Sequence, residues 1–127
     1  MARLLLLIVL GVVAAYYFPD SRQAIENAVA PLIAPIVKWT AEGEMAQVGQ
    51  NVVRHETFSG KLPDRRDWSG WLDWRYPTDD FKEDPWGSRY QLRVWADSVA
   101  IISLGPDRTR STEDDFRVVT PRPRRRR

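Results

Sequence analysis

Few side chains in this sequence have types and spacings suited to chemistry. His55 is the sole histidine, and it lies on the apolar stripe of a predicted helix, which favours packing over a catalytic or metal-binding role. Asp79-Asp80 and Glu83-Asp84 are adjacent carboxylates. A glycosidase pair, however, is defined by its separation across a cleft, which adjacency does not supply. Asp84 also has a local task. In Asp84-Pro85-Trp86-Gly87 the aspartate can accept from the backbone ahead, proline presets the second φ and glycine relaxes the exit, which are the requirements of a type I turn. The absence of cysteine excludes disulfides and thiolate metal sites. There is no glycine-rich phosphate loop, nucleophile elbow or zinc-ligand spacing, so the chain is expected not to be an enzyme. Trp68, Trp71 and Trp74 at helical spacing could form a carbohydrate platform, but aromatic residues in that pattern more often build a core.

Charge narrows the partners. The formal net charge of the 127 residues is +2, with 19 basic and 17 acidic side chains. Five of the basic ones are Arg122, Arg124, Arg125, Arg126 and Arg127; without them 14 stand against 17, a net of −3. The body is therefore mildly acidic. It lacks the basic face of a nucleic-acid binder, and no nucleic-acid partner is expected. The arginine tail reads as solvated, or as a contact for anionic lipid or an acidic partner.

The elements that must position these residues begin with an uncharged apolar run over residues 4–18. As a helix, fifteen residues rise roughly 22 Å, against a hydrocarbon core of ~30 Å. The run suits a short membrane anchor with Tyr16, Tyr17 and Phe18 as an interfacial belt, or a signal peptide cut near Val13-Ala14-Ala15. From Asp20 the periodicity predicts one long bent helix to about Thr57. Ile25, Val29, Leu32, Ile36 and Trp39 form one stripe, Met45, Val48, Val52 and His55 resume it, and Pro31 and Pro35 favour a kink. Two helices separated near Gly43 are the alternative. Ser59-Gly60 supplies a stop, and Asp64 is expected to cap a short helix carrying Trp68, Trp71 and Leu72. Strands are predicted over residues 89–95, 98–104 and 116–119, the first with one wet face and the second buried on both. The fold class expected is α+β: a long N-terminal helix packed on a small three-stranded antiparallel sheet.

One stretch carries a family likeness. Asp84-Pro85-Trp86-Gly87 is followed two residues later by Tyr90, then by a hairpin, by Ser103-Leu104-Gly105-Pro106-Asp107 and by Asp114-Asp115-Phe116. This order and spacing resembles the C-terminal domain of the major pseudopilin of type II secretion systems, the general secretion pathway protein G family. Thr57-Phe58-Ser59-Gly60-Lys61-Leu62-Pro63 is similar to that family's helix exit. The resemblance implies a calcium ion held by the carbonyl of Leu104, the Asp107 side chain, the carbonyl of Thr112, and the side chains of Asp114 and Asp115. Such a loop offers the hard oxygens that calcium requires. Arg108 and Arg110 would repel the cation, or could pair with the same aspartates in its place. The chain departs from the family at its start: the only glycine of the apolar run is Gly11, and the fifth residue after it is Tyr16 where the family has glutamate. The prepilin cleavage motif is therefore absent.

The division expected is an anchor or signal peptide over 1–19, a long helix over 20–58, a pseudopilin-like domain over 59–120 and an arginine-rich disordered tail over 121–127. The function implied is that of a structural or assembly component of a type II secretion or related pilus-type system. Its partners would be the inner membrane, other pseudopilins and secretion-platform proteins. It would be a single-pass inner-membrane protein with a cytoplasmic N-terminus and its C-terminal domain in the periplasm. The alternative is a tethered or secreted extracytoplasmic binding module built on the same head.

Overall fold

A computed structural model describes residues 2–17 and 19–123, which divide into two units, 1–38 and 39–127. The described residues of the first unit are all helical. Helix α1, Ala2–Tyr17, has no acidic side chain in its first turn and no basic one in its last. Its apolar side chains are not covered by protein: Leu6, Leu7, Ile8, Val9, Leu10, Val12 and Val13 are all more than 50% exposed. Sixteen residues rise about 24 Å, and among the described residues no helix is long and apolar enough to cross a membrane. The expectation of a single-pass span is thus not met by helix length. Arg22 lies over the Tyr16 ring, 4.7 Å from its centroid, and pairs with Glu26 at 3.4 Å.

Helix α2, Pro19–Ser59, is one continuous element with Pro31 and Pro35 inside it, so the two-helix alternative with a loop at Gly43 does not hold. Its apolar stripe divides between Trp39 and Ala41, just past the unit boundary. Leu32, Ile36 and Trp39 are exposed, whereas Ala41, Met45, Val48 and Val52 are completely buried at spacings of four, three and four. Only this second stretch faces a core, because only it has a sheet and a second helix of its own unit to pack on.

That core is completed by helix α3, Trp68–Arg75, and by strands β1, Gln91–Val94, β2, Ser98–Ser103, and β3, Phe116–Pro121. The sheet is an antiparallel meander in the order β1-β2-β3, with Leu92 opposite Ile101 and Ile101 opposite Val118. Met45, Val48 and Val52 of α2 meet Trp68, Trp71 and Leu72 of α3 and Tyr90, Val99 and Ile101 of the sheet side in one cluster. The α+β class expected from the sequence is the one observed. At Gly49, α2 lies close to β3; an added Cβ would overlap the side chain of Thr120.

Three local expectations change. Asp64 does not cap α3; its Oδ1 accepts from the Arg66 amide at 2.9 Å, one turn earlier. Asp67 takes the N-cap position without a side-chain cap bond, although its carboxylate lies close to Gly70. Trp74 points outward and is 71% exposed, while Trp68 and Trp71 are buried as core residues. Finally, Pro121 and Arg122, expected in the tail, belong to the sheet end. The Arg122 amide donates to the Asp97 carbonyl at 2.8 Å, and its guanidinium grips the Glu56 carboxylate of α2 and the Trp95 carbonyl. Residues 124–127 of the expected tail lie outside the described residues.

Candidate functional site: the Asp84 turn and the loop before the last strand

The turn predicted at Asp84 forms, and it is tied to a second loop. Gly87 N donates to the Asp84 carbonyl at 2.9 Å, and Gly87 itself has φ +84°, a conformation glycine adopts without cost. The Asp84 carboxylate is buried. Its Oδ1 accepts from the amides of Trp86 at 3.1 Å and Ser88 at 2.8 Å. Its Oδ2 accepts from the Ser103 hydroxyl at 2.8 Å, and that hydroxyl accepts in turn from the Gly105 amide at 3.1 Å. One carboxylate therefore fixes the entry to β1 and the exit of β2 together. The Trp86 ring meets Phe116 edge-on at 6.1 Å, which joins the same turn to the start of β3.

Next comes the loop over residues 104–115. Gly105 has φ +69°, and its Cα packs so closely on the Asp114 backbone that a Cβ would overlap it, so the two ends of the loop are pinned together. Each predicted calcium donor can be placed. Asp107 Oδ1 accepts from the Thr109 amide at 2.9 Å. The Thr112 carbonyl accepts from the Asp115 amide at 3.3 Å, and Asp115 Oδ2 accepts from the Ser111 amide at 2.7 Å. Leu104 is half-buried beside the pinned Gly105, and Asp114 is exposed. These oxygens are of the hard type calcium needs. As placed, however, two of the three carboxylates are turned onto the loop's own amides. Among the described residues no three His, Cys, Asp or Glu side chains gather to hold a metal ion.

The arginines do not take the cation's place either. Arg110 leaves the loop to donate to Gln91 Oε1 at 2.6 Å, and Arg108 lies near Gly87. Among the described residues neither forms an ion pair with Asp107, Asp114 or Asp115. The closure of the loop by arginine–aspartate pairs, which the sequence allowed, is thus absent.

The other carboxylates are structural. Lys82 is largely buried and reaches both Asp73 at 3.3 Å and Asp79 at 3.2 Å. Asp73 also receives Arg89 at 2.9 Å, and that guanidinium bond holds its carboxyl below the usual carboxylate range. Asp80 accepts from the Thr78 hydroxyl at 3.4 Å. His55 is half-buried and meets the rings of Trp71 at 5.7 Å and Trp74 at 6.3 Å edge-on. Tyr90 is fully buried; burial first, and the Glu44 carboxylate bonded to its hydroxyl at 3.1 Å second, push its pKa far up, so it stays protonated. Sequence reasoning missed Glu44 and Lys82, and it named Ser103 within a motif without its bond to Asp84. The signal available was weak: a serine ending an apolar strand, and a lysine amid acidic residues.

The arrangement thus ties the Asp84 turn, the end of β2 and the start of the following loop together by hydrogen bonds. Compared with known proteins, the chain matches no family model, no curated protein and no solved structure.

Proposed function

We propose that the chain is a membrane-tethered structural or assembly subunit of the pseudopilin kind, serving a type II secretion or related pilus-type system. The observation that carries this reading is the continuity of a 41-residue helix whose second half forms the core of a small antiparallel head. The buried Asp84 turn and its link through Ser103 to the loop before β3 support the likeness drawn from residues 84–116. Tethering is supported by α1, whose large apolar side chains are exposed around the helix; such a surface calls for a non-aqueous neighbour. A rise of about 24 Å suits insertion with local thinning of the bilayer or snorkelling of its flanks. The proposed placement is the inner membrane, with the N-terminus cytoplasmic and the head outside the cytoplasm. The partners proposed are other pilin-like subunits and secretion-platform proteins.

In-cell photo-crosslinking tests this. A photoreactive residue replacing Leu32, which is 72% exposed, is expected to capture another helix-anchored subunit or a platform protein from the membrane fraction. Capture of soluble extracytoplasmic proteins alone would instead favour the binding module. That second reading has its own support in the exposed Trp74 and Phe58.

Calcium in the loop over residues 104–115 is part of the proposal. Its support is chemical: Asp107 and Asp114 have no cationic partner among the described residues, and the carbonyls of Leu104 and Thr112 lie in the same loop. Millimolar calcium is expected to raise the thermal midpoint, since a ligand of the native state must do so. An unchanged midpoint would remove calcium and leave the remainder of the reading intact.

A further inference from the structure

The outer edge of β1 is open along part of its length, and the open part faces a groove. Trp95 N donates to the Ser98 carbonyl, which makes 95 and 98 a hydrogen-bonded pair. The register then makes Arg93 with Ala100 and Gln91 with Ile102 the next such pairs. The backbone groups of Tyr90, Leu92 and Val94 therefore point away from β2. Those of Tyr90 are taken, its N–H by the Lys82 carbonyl at 3.0 Å and its C=O by the Trp68 indole at 2.8 Å. For Leu92 and Val94, no hydrogen bond among the described residues uses this side.

A groove of about 1030 Å³ runs along that edge, between the segment over residues 62–66 and the loop over residues 110–115. Leu62, Ile102 and Leu104 give it an apolar floor beside the edge residues Leu92 and Val94, and Arg65, Arg66, Arg93 and Arg110 give it charge. Among the described residues none of these four guanidiniums has a carboxylate partner. The two lining carboxylates are engaged elsewhere, Asp64 with the Arg66 amide and Asp115 with the Ser111 amide. We infer that this groove binds an extended acidic segment of a protein partner, added as a fourth strand to the β1 edge at Leu92 and Val94. Backbone bonds would supply affinity, the apolar floor would take alternate side chains, and the arginines would select acidic residues between them. A second copy paired edge to edge is disfavoured, because it would oppose arginine to arginine. The chain's own arginine-rich end is disfavoured for the same reason.

The test uses the full chain, isotope-labelled in detergent micelles, and a capped peptide of roughly eight residues alternating valine and glutamate. Amide exchange at Leu92 and Val94 is expected to slow roughly ten-fold or more at saturation. The exposed double variant Arg65→Glu/Arg66→Glu is expected to weaken binding by about five-fold or more, with a loss that shrinks in high salt. A peptide alternating valine and lysine, and one N-methylated at every second amide, should give no protection. The proposal is overturned by any of three results: binding without protection at Leu92 and Val94, equal protection by the lysine peptide, or concentration-dependent protection without peptide, which would mean a second copy occupies the edge.

Discussion

Replacing Asp84 by alanine is expected to lower the unfolding free energy by about 3–4 kcal/mol, one of the largest effects of any polar substitution in the head. The carboxylate is 5% exposed and accepts from two amides and the Ser103 hydroxyl. Its removal strands the Ser103 hydroxyl in a buried site and the Trp86 and Ser88 amides in a half-buried one, and an unsatisfied buried donor costs about 1–3 kcal/mol. In a unit of this size that translates into a fall in thermal midpoint on the order of 15 °C or more. Asp84→Asn keeps an acceptor for the Trp86 and Ser88 amides but must offer its NH₂ to Ser103, whose hydroxyl already accepts from Gly105. It should therefore cost about half as much, because one orphaned partner replaces three. Thermal and urea denaturation of the two variants check this. A loss for Asp84→Ala under about 1 kcal/mol, the range of surface substitutions, would mean that the turn and β2 are not held together through this carboxylate.

The second large effect is expected at Leu72, which is completely buried between α2 and the sheet in the cluster with Met45, Val52 and Trp71. Leu72→Ala removes apolar contact and leaves a cavity, at a cost of about 3 kcal/mol within the ~2–5 kcal/mol range of such changes. The stacked pair of Trp68 and Trp71, 5.2 Å apart, limits how far the site can collapse, because two indoles cannot close a small void without leaving each other. Leu72→Met conserves volume and should cost under ~1.5 kcal/mol. Equal losses for the two variants would show that α3 does not pack through this side chain.

These two positions also show what the sequence made legible. Leu72 was readable because helical spacing with Trp68 and Trp71 marks a face. The Asp84 turn was readable because each of its four residue types has a fixed role at its position. The strands were found within a few residues because Tyr90, Leu92 and Val94 alternate with polar neighbours. What could not be read is long-range. That Asp84 Oδ2 meets Ser103, or that Arg122 reaches Glu56 across 66 residues, depends on register and on how a helix lies on a sheet. Neither is encoded in local spacing. The stripe of α2 misled for a related reason. Leu32, Ile36 and Trp39 have the period of a buried face, but periodicity does not say what covers it, and all three side chains are exposed. Asp64 was assigned to the wrong turn because an aspartate caps whichever amide follows it, and the chain makes one extra turn before α3 begins.

For the loop over residues 104–115 the resemblance implied a cation, and its arginines could have paired with the same aspartates. As placed, Asp107 and Asp115 accept from amides within the loop while Arg110 donates to Gln91. A short loop with Gly105 pinned on Asp114 has enough backbone donors to use its carboxylates itself.

Whether the subunit is tethered is decided by the intact mass of the protein recovered from fractionated cells. The expected result is a chain that retains residues 4–18, recovered with the inner membrane and released only by detergent. A chain beginning at Tyr16 and recovered in the soluble fraction would contradict it.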